Sequence, residues 1–329
     1  MSKTIALCAN LPMEDAAWTM PAFGKRYPGS GWMKWLPSLD KSTSPRFMSG
    51  KQALHCVKDL CLPPSQVIVI QEENNPEGQE LIRLGADARV NFCMESPNYA
   101  SSYYDNPPSG FKHYLQFDGG IDHLYFPSFD DEDIPDPVPW EDRKFLCMVM
   151  ANKHYSGLGD RYKHSPTYQM AMKTQLHDYR YEAIDYFKPI GGHLAIAGRG
   201  PLDLYGKGWP NNCLEINNKL ATIRNYKFAL CFENGSYPGY ITEKIIDCLV
   251  AGVIPVYRGA PDIDKYIPRE CFIDANDFNS FEHMEKTLRE AHWDYEYIIK
   301  RGQDWLRSPE GQKYNNRVFA KRMLELCAD

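Results

Sequence analysis

The chain has 329 residues, long enough for two domains at roughly 150 residues each. Its formal net charge of −6 excludes a broad electrostatic grip on nucleic acid or an anionic membrane surface, while leaving room for one local basic pocket. Hydrophobic residues make up 43% of the chain, enough for ordinary cores, and the 13% of aromatics suits core and interface filling better than sugar stacking.

In chain order, the run Thr4–Ala9 is too short for a signal-peptide core or a membrane span and reads as a first buried strand. Val67–Ile70, Arg89–Met94, Phe145–Met150, His193–Ala197, Lys227–Phe232 and Val253–Tyr257 are further strand candidates. They are apolar without alternation, as strands covered on both faces of a parallel sheet are. Helical segments are expected at Glu77–Leu84, Pro166–Phe187, Asn217–Asn225, Thr242–Ala251, Phe281–His292 and Asn316–Cys327. The alternation predicts an α/β fold. Trp18, Trp32 and Trp35 fall in a Gly/Pro-rich stretch and suit sugar stacking or core packing alike.

Phe129–Asp142 is crowded with prolines and acidic side chains and reads as a linker. Asp131 and Asp133 belong to that solvated stretch rather than to a metal site. The division is therefore an N-terminal α/β domain over 1–135 and a C-terminal domain over 136–329, whose last helix is able to pack back on the first. The ten cysteines include no C-x-x-C pair, and several lie in apolar strand-like runs, so buried free thiols are expected. Gly198–Gly200 lacks the spacing of a dinucleotide fingerprint, and Gly206–Gly208 lacks the hydroxyl residue of a phosphate-binding loop.

The segment Tyr226–Pro268 carries the chemistry. A strand delivers Glu233 and Asn234 to its carboxyl end, a Gly/Pro loop follows, and a helix begins with Thr242 as N-cap. In an open α/β sheet, ligands bind outside the carboxyl ends of the strands, and a helix N-terminus favours phosphate. Lys244 is placed to neutralise a diphosphate and Glu243 to accept ribose hydroxyls. An ordinary exposed first turn would look the same.

The residues in question are Phe232-Glu233-Asn234, then Tyr240-Ile241-Thr242-Glu243-Lys244, then Ala251-Gly252, Ile254-Pro255-Val256-Tyr257, Gly259 and Pro261, and last Tyr266 and Pro268. This ordered series resembles the donor-binding signature of the α-1,3/4-fucosyltransferase family, inverting glycosyltransferases of GT-B fold. Upstream, Arg180 before Pro189-Ile190-Gly191-Gly192 resembles the family's diphosphate-gripping arginine, with Arg199 as competitor, and Met150–Lys153 its strand-end asparagine motif. Glu95-Ser96-Pro97 resembles the motif whose glutamate is the catalytic base. The resemblance covers roughly residues 85–280; the first 80 match nothing nameable.

The resemblance implies two Rossmann-like domains facing across a cleft, with donor mainly on the C-terminal one. It implies transfer of L-fucose from GDP-β-L-fucose, with inversion, to a hydroxyl (O3) of a GlcNAc- or Glc-containing glycan. Glu95 would act as general base, and Arg180, Asn234, Tyr240, Glu243 and Lys244 would bind donor. Absence of metal-ligand spacing implies no metal and no required cofactor beyond the donor substrate GDP-fucose, a divalent cation being at most stimulatory. A transferase of another GDP-sugar and a non-catalytic carbohydrate-binding protein are the alternatives. The partners implied are GDP-fucose and a glycan acceptor, with no nucleic acid and no transmembrane segment. Asn234-Gly235-Ser236, the chain's glycosylation pattern, lies inside the donor signature and fits a cytoplasmic enzyme, or else a soluble catalytic domain lacking its anchor.

Overall fold

A computed structural model describes residues 3–9, 29–39, 46–97, 100–117, 122–135, 138–149, 166–187 and 219–328. The expected strand at 193–197, both glycine patterns, Trp18, Arg199, Met150–Lys153 and Pro189–Gly192 lie outside these residues. The strands are β1 (Thr4–Cys8), β2 (Arg46–Ser49), β3 (Val67–Glu72), β4 (Asp87–Phe92), β5 (His113–Leu115), β6 (Lys144–Met148), β7 (Tyr226–Phe232), β8 (Ile254–Arg258) and β9 (Ile273–Asp274). The main helices are α1 (Gly50–Asp59), α2 (Pro76–Arg83), α3 (Pro166–Thr174), α4 (His177–Phe187), α5 (Lys219–Ile223), α6 (Glu243–Ala251), α7 (Phe281–Glu290), α8 (Tyr295–Leu306) and α9 (Asn316–Ala328). None is long and apolar enough to cross a membrane.

Two compact units result, one of residues Met1–Ser128 with Lys313–Asp329, the other of Phe129–Gln312. In the first, five parallel strands run in the order β2-β1-β3-β4-β5. β1 is buried along its whole length, and Ala6, Cys8, Val67, Val69 and Leu81 share one core. Ser49 and Gln52 form a reciprocal capping box that starts α1 directly from β2. Asn75 starts α2 by accepting from Gly78 N–H, with Pro76 at the first helical position, and its amide donates to Ala9 O at 3.2 Å. Helix α9 belongs to this unit: Phe319 meets Trp32 edge-on at 5.3 Å, Arg322 donates to His123 O, and Arg89 donates to Cys327 O. Trp32 is fully buried, so its role there is packing.

Among the described residues of the second unit four parallel strands run β6-β7-β8-β9. Leu146, Phe228, Leu230, Ile254 and Val256 face Ile184 and Phe187 of α4 and Met284 and Leu288 of α7 in one core. Arg143 ties the entry of β6 to the end of α6 by donating to Gly252 O. Gly252 ends α6 at φ +65°, a left-handed conformation that suits glycine. The expected single helix Pro166–Phe187 is instead two. Leu176 N–H donates to Asn234 O, and Gln175 bridges Gly235, which draws the chain between α3 and α4 onto the loop after β7. The cysteines among the described residues are free thiols, most of them buried.

Candidate active site

β7 is apolar from Phe228 to Phe232 because both faces of this central strand are covered, and the chain turns polar only where the sheet ends. There Glu233 continues the ladder, its N–H donating to Arg258 O at 2.8 Å. Its side chain is fully buried. Such a carboxylate requires partners, and it has them. Thr242 donates its N–H at 2.8 Å and its hydroxyl at 2.8 and 3.0 Å, and Lys244 Nζ stands 3.0 Å from Oε2. One carboxylate at the end of β7 thereby fixes the first turn of α6.

Thr242 occupies the N-cap position, but its side chain does not cap the helix, because its hydroxyl is spent on Glu233. The N-cap position itself is the one the sequence leads one to expect. Lys244 Nζ also reaches Thr242 Oγ1 at 2.9 Å and Glu243 Oε1 at 3.4 Å. Asn234 donates its amide to Tyr240 Oη at 3.2 Å, closing the intervening loop, and both side chains are buried. Gly239, at φ +68°, donates its N–H to Asp262. Gly259 completes the site: a Cβ there would come within 2.5 Å of Glu233 Cγ and closer still to Tyr257 Oη.

Charge is dense on this side of α6. Burial works against the Glu243 carboxylate, yet Lys244 and Lys219 hold its pKa down at about 2. One turn on, burial pushes Asp247 up to about 6 despite its 2.6 Å ion pair with Lys219 of α5. Burial also opposes the charge on Lys219, but Asp247 and Glu243 outweigh it and hold the ammonium above its usual range.

Arg180 lies on α4, 2% exposed, with its guanidinium forked onto Phe232 O through Nε and Nη2. The residue is thus held at the end of β7, at the carbonyl that precedes Glu233 and Asn234. Glu95 stands in the other unit, past the end of β4, half-buried, with Ser96 and Pro97 buried after it. Its backbone carbonyl accepts from Tyr104 Oη at 3.2 Å. Sequence reasoning did not single out Glu233 as the anchor of the site, nor Lys219, and it quoted Gly259 in the motif without giving it a role. Glu233 sat in the motif itself, and the signal was an acidic residue directly after a fully apolar strand.

Residues 193–327 match the family model described as glycosyltransferase family 10 (fucosyltransferase), C-terminal. The match to that family model lies in the C-terminal part of the chain. Curated relatives that the chain resembles include the Helicobacter pylori α-(1,3)-fucosyltransferase FucT, 38% identical over 89 residues, which is 26% of this chain and 19% of the relative. Human α-(1,3)-fucosyltransferase 4 is 31% identical over 137 residues, 37% of this chain and 24% of the relative. The chain thus matches about a fifth to a quarter of the length of these relatives. Among solved structures, an α1,3-fucosyltransferase crystallised with GDP-fucose aligns with TM-score 0.51 at 17% identity, covering 100% of this chain and 91% of the other. A glycosyltransferase from Rickettsia africae ESF-5 aligns with TM-score 0.54 at 9% identity, covering 99% and 97%. These likenesses and the parallel sheets make the fold that of the GT-B glycosyltransferases, as the sequence leads one to expect.

Proposed function

We propose that this protein is an inverting fucosyltransferase that moves L-fucose from GDP-β-L-fucose to a hydroxyl, O3, of a GlcNAc- or Glc-containing glycan. The observation that carries the reading is the Glu233–Thr242–Lys244 network, which holds a lysine and a helix N-terminus together at a strand's carboxyl end within the stretch that matches the family 10 model. A helix N-terminus with an adjacent cation is suited to a nucleoside diphosphate. The long 3.4 Å contact of Lys244 with Glu243 is the one a phosphate oxygen would displace most easily. Glu243, kept ionised, would accept the ribose hydroxyls, while Asn234 and Tyr240 shape the loop around the nucleotide. Arg180, which resembles the family's diphosphate-gripping arginine, holds Phe232 O at the end of β7 and is assigned to the donor side of the site.

In the chemical step the Glu95 carboxylate takes the proton of the acceptor hydroxyl as that oxygen attacks the anomeric carbon. The bond from that carbon to the β-phosphate oxygen breaks, and GDP departs with the charge. Lys244, Arg180 and the α6 N-terminus would stabilise that charge, each such donor typically being worth on the order of 10²–10³ in rate. The residues named need no metal or further cofactor for this step. The test is release of GDP from GDP-L-fucose, with and without a panel of GlcNAc- and Glc-containing acceptors, for wild type and Glu95→Gln. Acceptor-dependent release that falls by roughly 10²–10⁴ in the variant is expected. Unchanged release in Glu95→Gln would remove Glu95 as base, and turnover of another GDP-sugar instead would overturn the choice of fucose.

A further inference from the structure

The amino end of the second unit's sheet lies opposite the end that carries Glu233 and Lys244, and it borders a cavity of about 550 Å³. Sites that take small organic molecules have volumes of this order. Phe228, early in β7, and Leu288, late in α7, line it and belong to the apolar core. Aromatic rings gather around them. Trp140 stacks on Tyr295 with centroids 4.2 Å apart, and Trp293 meets Phe228 edge-on at 6.2 Å. From Lys227 to Phe232 the strand climbs about 17 Å, so the cavity is separate from the donor end.

Three cations line this cavity, and among the described residues no carboxylate does, although the chain as a whole carries a net charge of −6. Lys227, on β7, has its Nζ 5.2 Å from the Trp140 ring centre and pairs with no carboxylate among the described residues. Arg143, just before β6, is buried and donates to two neutral carbonyls, Val138 O and Gly252 O. A buried guanidinium without a counter-charge is costly. Arg289, late in α7, lies over the Phe145 ring at 3.8 Å, and of the three it has the acidic partner, Glu285 at 2.8 Å. Cations seated on rings are partly ordered before any ligand arrives, which lowers the entropy lost on binding. Trp293 adds a neutral donor: its Nε1 is buried and has no hydrogen-bond partner among the described residues. Buried indole N–H groups ordinarily find one, so this one calls for an acceptor oxygen.

We propose that this cavity is a second ligand site, for a small organic phosphate whose oxyanion is held by Lys227, Arg143 and Arg289 while its ring body packs against Phe228, Leu288 and Trp293. The site stands independently of the transferase reading. Three cations supplied by three separate elements match a doubly charged, tetrahedral oxyanion better than a singly charged, planar carboxylate. Inorganic phosphate alone would leave the apolar part of the cavity uncovered. A ring there removes apolar surface from water at about 25 cal/mol per Å², which favours a ring-bearing ester over the bare ion.

The probe is phenyl phosphate, titrated into the full chain labelled with ¹⁵N at the tryptophan indoles, with inorganic phosphate, benzoate and phenol as comparisons. Trp293 is assigned by the signal lost in Trp293→Phe. Phenyl phosphate is expected to move that signal with a Kd of about 1 mM or below, at least about tenfold tighter than each comparison compound. Lys227→Gln and Arg289→Gln each weaken it by about tenfold, and the double variant abolishes it. Neither side chain is buried, so both variants fold, which a cooperative melt checks. The donor end also suits phosphate, so GDP affinity is measured on the same variants by isothermal titration and is expected to stay at the wild-type value. A Trp293 signal unmoved by about 10 mM phenyl phosphate overturns the proposal, as does binding that persists in the double variant. Benzoate or phenol matching phenyl phosphate overturns the phosphate, and inorganic phosphate matching it overturns the ring body.

Discussion

Replacing Glu233 by Gln tests whether one buried carboxylate holds the first turn of α6. The amide keeps an oxygen for the Thr242 N–H, now at 2.8 Å, but its nitrogen replaces the oxygen that faces Lys244 Nζ at 3.0 Å and the Thr242 hydroxyl at 2.8 Å. Two charge-assisted bonds disappear, and a donor is set against a cation. Hydrogen bonds to charged groups contribute roughly 1.5–3 kcal/mol each, and breaking a buried pair by removing one partner costs roughly 3–5 kcal/mol. Lys244 keeps Glu243 at 3.4 Å and a little exposure, which places the loss at the lower end, about 3 kcal/mol. For a unit of this size that is a fall of roughly 6–12 °C in melting temperature. Calorimetry gives the melting temperature, and isothermal titration gives GDP affinity, which falls with it because Lys244 and the helix N-terminus lose their common anchor. A variant that melts within about 2 °C of wild type and binds GDP equally well would refute the reasoning.

Arg180→Lys removes the fork on Phe232 O that an ammonium cannot reproduce, and is expected to lower the unfolding free energy by about 2 kcal/mol in urea titrations; equal stability would show that the carbonyl does not need the guanidinium. Gly259→Ala pushes a methyl into Glu233 and Tyr257, so it is expected to cost roughly 1–3 kcal/mol and to weaken GDP binding, and a silent variant would mean that the loop yields freely. Asp247, pushed up to about 6 mainly by burial, holds its proton in the folded protein where the unfolded chain has lost it. Its contribution is full below the ordinary carboxylate range and is lost as pH rises through about 6, so Asp247→Asn flattens stability between about pH 4 and about pH 6; an unaltered slope would refute the assignment. Glu243, held at about 2, acts with the opposite sign: its contribution is present above the ordinary range and is lost as pH falls towards 2, which Glu243→Gln abolishes in acid unfolding.

The strands β1, β3, β6, β7 and β8 were legible because burial on both faces leaves a largely continuous apolar run, and that pattern needs no partner to be recognised, while β4, with Arg89 and Asn91 in it, showed itself through Val90 and the apolar residues from Phe92 on. β2 was not legible: Arg46–Ser49 is four residues long and contains an arginine, and its strand character comes from pairing with β1. α8 has its apolar residues spread among charges over Tyr295–Leu306, and it is the packing of Ile298, Ile299, Trp305 and Leu306 that shows which face turns inward. The break after α3 was hidden for another reason. Pro166–Phe187 has acceptable helix formers throughout, and what interrupts it is a bond between residues 58 positions apart, Leu176 N–H to Asn234 O. Pattern records local preference; a distant backbone acceptor overrides it without leaving a local trace.

The same distinction explains what was seen of the candidate site. The residue types of the donor signature were readable as chemistry, an acid and a base on a first helical turn. What the sequence could not display is the order of dependence among them. Lys244 is oriented by Glu233 and Thr242, Glu243 is kept ionised by Lys244 and by Lys219 from another helix, and Arg180 is held by the carbonyl of Phe232. An apolar filling of similar volume would often be as stable as such a buried charge network. The network instead fixes charges in place before any ligand arrives, so that little reorganisation remains when a diphosphate binds or gains charge. Stability and donor affinity are therefore expected to fall together when Glu233 is changed, since Glu233 holds both Thr242 and Lys244 at the strand end.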